Sequence, residues 1–305
     1  MTNHSKKCEQ NASRGALRSI LTVALAIATT GCTNLSAVGD ISNSLSMASS
    51  SWNNVAGDIA ESCQRRLAIS SSSGSCDDQL AASQGLATAN NVLRAYFQAL
   101  GAAANEANFS VGDGLNEVVD SVNAIPGINT DQVEAVSGIF GFLANLGTER
   151  LRERELRRLI DDGAGPAQDV IAMMDELLVD RFRLLLDDEE RVLNAAMVTW
   201  INANQPSIGT SFERYCTSPI AVFVNGGGDA SSYALLQEYC GRFEVLTERR
   251  AAISAYEKSL VTASQALQEL RSNRTELSGR ELAGKLYAIG SELDDHIGSV
   301  REAFG

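Results

Sequence analysis

Apolar residues recur along this chain at spacings of three, four and seven, the mark of helices that bury one face. Val38, Leu45, Trp52 and Ile59 stand seven apart, and Ile41, Ala48 and Val55 fill the neighbouring stripe. Serines and asparagines crowd the other face, so the stretch up to Ser51 reads equally as the start of a helix or as a flexible tether. A serine-rich loop lies between Cys63 and Cys76. The pattern then predicts a helix from about Asp77 to Asn105, burying Leu86, Leu93, Tyr96, Phe97 and Leu100. Gly112 to Gly114 breaks it, and a short helix from Leu115 ends near Pro126, which disfavours a helical conformation for Ile125.

Thr130 is the expected N-cap of the next helix, with Asp131 beside the positive end of its dipole. Val133, Val136, Ile139, Phe140, Leu143 and Leu146 form its buried stripe, and the helix is expected to continue through Thr148 to Ile160. There Glu153 can pair with Arg157 one turn on. Gly163 to Pro166 is expected to end it, with Pro166 at the first position of a new helix. From Ala167 to Asn204 the pattern is unbroken, through Val170, Met174, Leu177, Leu178, Phe182, Leu185, Val192, Leu193, Ala196 and Trp200. At 1.5 Å per residue that helix is about 55 Å long.

Pro206 to Asp229 is irregular, with a β-prone scrap from Ile220 to Val224. A second long helix follows to about Ser272, carrying Tyr239, Leu246, Ile253, Leu260 and Leu267 seven apart, with Tyr256, Ala263 and Leu270 beside them. Ser278 and Glu281 match a capping box opening a last helix, whose stripe is Leu282, Leu286, Ile289, Leu293, Ile297 and Val300. The expected fold is all-α: an elongated helical bundle built around two long antiparallel helices, with short irregular loops clipped by disulfides.

The N-terminus carries an address. Lys6, Lys7, Arg14 and Arg18 precede the uncharged run Ile20 to Thr30. About 11 residues suit the core of an export signal and fall short of the ~20 that span a bilayer. Thr29, Thr30, Gly31 and Cys32 together resemble the lipobox of bacterial lipoprotein precursors, with Thr29 where that family usually has Leu. The resemblance covers residues 1–32 alone. It implies cleavage between Gly31 and Cys32, a diacylglyceryl thioether on the Cys32 sulfur and an acylated amino group. Thr33 after the cysteine resembles the outer-membrane sorting pattern, and two or more acyl chains anchor stably where one does not. The competing reading is ordinary cleavage after Ala26 to Ala28, which leaves Cys32 as a free thiol. Domain organisation follows: residues 1–31 a cleaved signal, 32–51 a lipidated N-terminus and tether or helix start, 52–305 a single helical bundle.

Cysteine parity favours lipidation. With Cys8 in the signal and Cys32 acylated, Cys63, Cys76, Cys216 and Cys240 remain, an even set able to pair in an oxidising compartment. Three pairings exist; the local one, Cys63 with Cys76 and Cys216 with Cys240, closes two loops between helix ends. No pair has the spacing of a zinc or thioredoxin-like site.

The signal holds four of the 25 basic and one of the 38 acidic residues, so the mature chain carries a formal charge of −16. That balance argues against nucleic acid and anionic lipid surfaces as partners, since both reward a basic patch. His296 is the only mature histidine, flanked by Asp294 and Asp295, but adjacent residues point around a helix rather than converge. The acidic runs Asp187 to Glu190 and Asp161 to Asp162 match no EF-hand and read as solvated helix faces. Gly226 to Gly228 lacks the Lys-Ser/Thr of a phosphate loop and reads as a flexible elbow. Gly138, Gly141 and Gly147 suggest a close helix crossing or kink, or a face for membrane or partner. No catalytic motif stands out, so neither catalytic residues, a metal nor a cofactor is assigned and a non-enzyme is expected. The leading expectation is an outer-membrane-anchored periplasmic lipoprotein serving as a structural or protein-interaction module, with an envelope protein as partner. The alternatives are a small-molecule-binding bundle with a pocket lined by Phe140, Phe182, Trp200 and Tyr256, and an envelope hydrolase using paired carboxylates.

Overall fold

Helix α1 (Ser36–Ser70) buries the seven-residue line Val38, Leu45, Trp52 and Ile59 and the companion line Ile41, Ala48 and Val55. The computed structural model describes residues 35–70, 73–110, 118–146, 151–204, 216 and 230–304, and residues 34–305 form one compact unit. α1 is its centre, packing on four other helices. The Ser/Asn stretch before Ser51 is therefore core helix, because its apolar side chains have partners that outweigh weak propensity.

α2 (Asp77–Ala104) returns antiparallel to α1, with Cys63–Cys76 clipping the turn (Cα–Cα 5.9 Å). Leu86, Leu93, Tyr96, Phe97 and Leu100 are all buried as the periodicity predicts. α3 (Val118–Asn123) leads to a turn at Pro126 and Gly127, where Gly127 has φ +75°, a left-handed conformation that glycine adopts freely. α4 (Thr130–Ala144) is capped by Asn129 and Gln132 in a reciprocal box, so the N-cap is Asn129 and the expected Thr130 is its first helical residue. It buries Val136, Ile139 and Leu143, with Val133, Phe140 and Leu146 half-buried. It ends at Ala144 and a new helix, α5 (Glu153–Arg158), opens at Glu153, so the expected run through to Ile160 is not continuous. The Glu153–Arg157 pair forms, at 2.8 Å.

Gly163 to Pro166 does not end the helix. A π-turn at Leu159–Gly163 joins α5 to α6 (Ala164–Met174). Pro166 lacks the N–H that an α-helix would send to the fourth residue back, and the wider turn just ahead of it absorbs that loss. A second π-turn, Asp175–Asp180, joins α6 to α7 (Arg181–Asn204). Beyond it Phe182 and Leu193 are buried as expected, but Leu186, Met197 and Ile201 are buried one residue past the expected Leu185, Ala196 and Trp200, which like Val192 are half-buried. A π-turn takes in one residue more than an α-turn, which rotates everything downstream.

α8 (Ala230–Ser272) runs antiparallel to α5–α7, from Asp161 beside Arg274 to Met197 and Ile201 beside Leu236. Leu246, Ile253, Tyr256, Leu260, Ala263, Leu267 and Leu270 are buried on it, and Tyr239 is half-buried. α9 (Arg280–Phe304) folds back along α8 and buries its whole predicted stripe. Its first turn is opened by Gly279, whose carbonyl accepts from the Ala283 N–H, not by Ser278. The fold is an all-α bundle with no strand among the described residues. Beyond the reach of α1 and α9, the end of α7 and the start of α8 pack on each other as a two-helix arm. A small separate core of Met197, Ile201 and Leu236 fills it, and Cys216–Cys240 (Cα–Cα 5.2 Å) clips it. Cys32, Gly112 to Leu115, Gly147, Ile220 to Val224 and Gly226 to Gly228 lie outside the described residues.

Candidate functional site

The acidic run on α7 meets α1 and α8 at a knot of ions. Glu189 points inward and is 3% exposed. Ser62 Oγ donates to its Oε2 at 2.6 Å, and Arg65 donates from Nε to Oε1 at 2.7 Å and from Nη2 to Oε2 at 3.1 Å. The other edge of the same guanidinium grips Asp58, at 2.8 and 3.1 Å. Arg249 on α8 closes on Asp58 at 3.1 Å. Two carboxylates and two guanidiniums thus balance in the interior. Around them Arg66 and Arg191 hold Asp188, and Arg250 bridges Asp187 and Glu190.

Burial pushes the Asp58 carboxyl above its ordinary range, against the pull of Arg65 and Arg249. For Arg65 burial opposes the charge, but Glu189 and Asp58 more than offset it and the guanidinium stays ionised. The half-exposed Asp188 is held low by hydrogen bonds from Arg66 and then Arg191. The solvated-face expectation for Asp187 to Glu190 therefore fails at Glu189, which is buried. The reason is that arginines from two neighbouring helices occupy the carboxylate oxygens. Among the described residues no three His, Cys, Asp or Glu side chains gather as metal ligands. Asp161 pairs with Arg274 at 3.1 Å and Asp162 with Arg158 at 3.5 Å, both near the surface. His296 sits 3.6 Å from Glu292 and not with its neighbours Asp294 and Asp295.

The four aromatic candidates do not converge. Tyr256 stacks edge-on with Trp52 (6.2 Å), whose indole N–H donates to Ser259 Oγ at 2.9 Å. Phe182 packs with Phe304, Phe140 is half-buried on α4, and Trp200 belongs to the arm. A surface groove of about 520 Å³ does open between α1, α2, the α3–α4 turn and α7. Its apolar lining includes Ile59, Leu86, Leu177, Phe182 and Leu185, with Arg181 and Asp78 as polar members. Arg181 donates to the Pro126 carbonyl, and a side chain at Gly127 would come within 2.6 Å of that guanidinium.

Asp58, Arg65 and Arg249 escaped the sequence reading. A signal was there: Ser44, Ser51, Asp58 and Arg65 stand seven apart on α1, a polar line beside the apolar ones. Ser51 accepts from Arg301 Nε at 2.8 Å, and Ser44 faces α9 near Gly290. Gly138 and Gly141 have nothing within 4 Å of a built Cβ, so they mark no close crossing; Gly85 and Gly163 do. No family model, no curated protein and no solved structure matches the chain.

Proposed function

We propose that this chain is an outer-membrane-anchored periplasmic lipoprotein whose helical bundle serves as a structural or protein-interaction module. The observation that carries the reading is the pairing of Cys63 with Cys76 and Cys216 with Cys240. Once the signal is removed, that pairing leaves one cysteine over, Cys32, behind Thr30 and Gly31. Disulfides fit an oxidising compartment, and a single surplus cysteine after a short apolar run fits a thioether anchor. Among the described residues no helix is long and apolar enough to cross a membrane, so anchoring rests on the lipid. The two inward-facing carboxylates, Asp58 and Glu189, are both held by arginine, which suits a structural part for them. Intact-mass measurement of the membrane-extracted protein tests the anchor: an acylated Cys32 is expected, and an N-terminus at another residue or a free Cys32 thiol refutes it. Crosslinking in intact cells followed by purification tests the interaction role, which fails if no specific envelope protein is recovered.

A second reading is favoured by the groove at Phe182, whose volume and apolar floor suit a small amphipathic ligand. Titration with a fluorescent fatty-acid probe is expected to show saturable binding that Leu185→Asp abolishes; no saturable binding removes this reading.

A further inference from the structure

Between Cys32 and the first residue of α1 stand only Thr33, Asn34 and Leu35. Leu35 is already buried and its carbonyl accepts the Gly39 N–H at 3.0 Å, so the chain has joined the bundle by residue 35. A fully extended backbone from residue 32 to residue 36 spans at most about 14 Å. A lipid on Cys32 therefore holds one particular end of the bundle against the bilayer.

That end is built from the start of α1, the end of α2, the start of α5 and the turn between α8 and α9. Gly39 packs against Asn105, the Leu151 N–H donates to the Ala107 carbonyl at 3.1 Å, and Arg274 reaches Asp161. Its charge differs from that of the rest. Residues 35–40, 101–110, 151–162 and 269–285 hold eight basic and nine acidic side chains, whereas the mature chain as a whole carries −16. Arg157, Arg158, Arg274 and Lys285 are spent on local carboxylates. Arg152, Arg154, Arg271 and Arg280 are exposed and have no ion-pair partner among the described residues. A phospholipid leaflet repels an acidic surface and holds arginine, whose planar fork matches phosphate oxygens.

We infer that this end of the bundle is a membrane-contact face, on which Arg152, Arg154, Arg271 and Arg280 engage phospholipid headgroups so that the protein stands on the bilayer. The inference rests on the lipoprotein reading. Its consequence is height: α8 starts at the arm and ends at this face, so the arm is carried about 65 Å away from the lipid along the 43 residues of α8.

Arginine footprinting with phenylglyoxal tests it, on the lipidated mature protein in phosphatidylethanolamine–phosphatidylglycerol vesicles and on the same chain with Cys32→Ala in solution. Modification of Arg152, Arg154, Arg271 and Arg280 is expected to slow about threefold or more on vesicles, while Arg242 on the arm reacts alike in both. An acylated Cys32 with the four arginines reacting at the solution rate overturns the contact face and leaves the anchor standing. A non-acylated Cys32 in the intact mass of the same sample overturns both. Protection of Arg242 equal to that of the four arginines means the bundle lies flat and overturns the orientation.

Discussion

At the scale of single residues, the ion knot decides how α1, α7 and α8 are held. Taking charges out of water is costly, and it is offset here because each carboxylate oxygen has a guanidinium or hydroxyl donor. Removing Glu189 takes two hydrogen bonds from Arg65, leaving it on Asp58, and strips buried Ser62 of its acceptor. Glu189→Ala is therefore expected to lower stability by about 3–5 kcal/mol in urea unfolding, far more than Asp187→Ala on the exposed rim. Asp188 contributes to the acid side of the stability curve. Its folded pKa lies below the ordinary 3.8, so the unfolded chain takes up the proton first as pH falls. Its contribution is complete above the unfolded value and is lost as pH drops through the folded one. Asp58 has the opposite sign, since burial raises its pKa and its charge is what costs the folded state. Asp188→Asn is expected to flatten the decline in urea midpoint as pH falls through and below the ordinary 3.8, and an unchanged decline contradicts the assignment.

Helices are where the sequence was most legible, and the exceptions have physical causes. The heptad-spaced residues on α8 are buried from Leu246 to Leu270, and so is the whole predicted stripe on α9, because long regular helices keep period 3.6. Phe182 and Leu193 kept their places, but the rest of the α7 seam slipped by one residue because a π-turn leaves no compositional trace; nothing in Asp175 to Asp180 marks it. Glycines in apolar surroundings were read as close contacts at the wrong positions, since periodicity says which face is buried and not what approaches it. At Gly85 a Cβ would lie 2.2 Å from Ile125 Cγ1 and 2.7 Å from the Ser121 carbonyl; at Gly163 it would lie 2.5 Å from Tyr96 Cε2. Tyr96 donates to the Leu159 carbonyl at 3.1 Å, so its ring cannot move without breaking that bond at the first π-turn. Gly85→Ala and Gly163→Ala are each expected to destabilise by about 1–3 kcal/mol, whereas Gly138→Ala on α4 gains from propensity. Thermal melts of the three variants rank them, and a Gly85→Ala melt at or above wild type contradicts the packing.

The disulfides belong to the same scale but to different parts of the fold. Cys63–Cys76 clips α1 to α2 inside the main bundle, and its removal is expected to cost the whole protein about 3 kcal/mol. Cys216–Cys240 serves an arm whose core is three buried residues. Cys240→Ser with Cys216→Ser is expected to speed amide exchange in the arm, around Met197 and Leu236, while amides near Leu260 keep their protection. Equal loss of protection at both places contradicts an arm that opens on its own.

At the scale of the whole molecule, the sequence announced a bundle of long helices but left its centre undecided. α1 was balanced between tether and helix because its serines and asparagines argue locally for disorder, and only tertiary contact reverses that argument. In the fold those small side chains are what lets four helices crowd around α1. Ser42, Ser49 and Ser51 are buried and return their hydroxyl hydrogens to carbonyls four residues back, and Ser51 also accepts from Arg301 Nε. The ion knot was hidden for a related reason: its members come from three helices, with Asp58 and Arg249 191 residues apart in the chain, and no local pattern links them. Truncation separates core from tether. A chain beginning at Trp52 loses Val38, Ile41, Leu45 and Ala48 from the interior, each wholly or almost wholly buried. The three larger side chains are each worth about 1.5–3 kcal/mol, and the faces of α2 and α9 that they cover become exposed besides. Against a total stability of roughly 5–15 kcal/mol that loss is decisive. The truncated chain is expected to lose its near-ultraviolet circular dichroism and its cooperative urea transition, while a chain beginning at Asn34 retains both. Cooperative unfolding of the Trp52 form at the midpoint of the longer one would make residues 36–51 an appendage, and the bundle would then need a different centre.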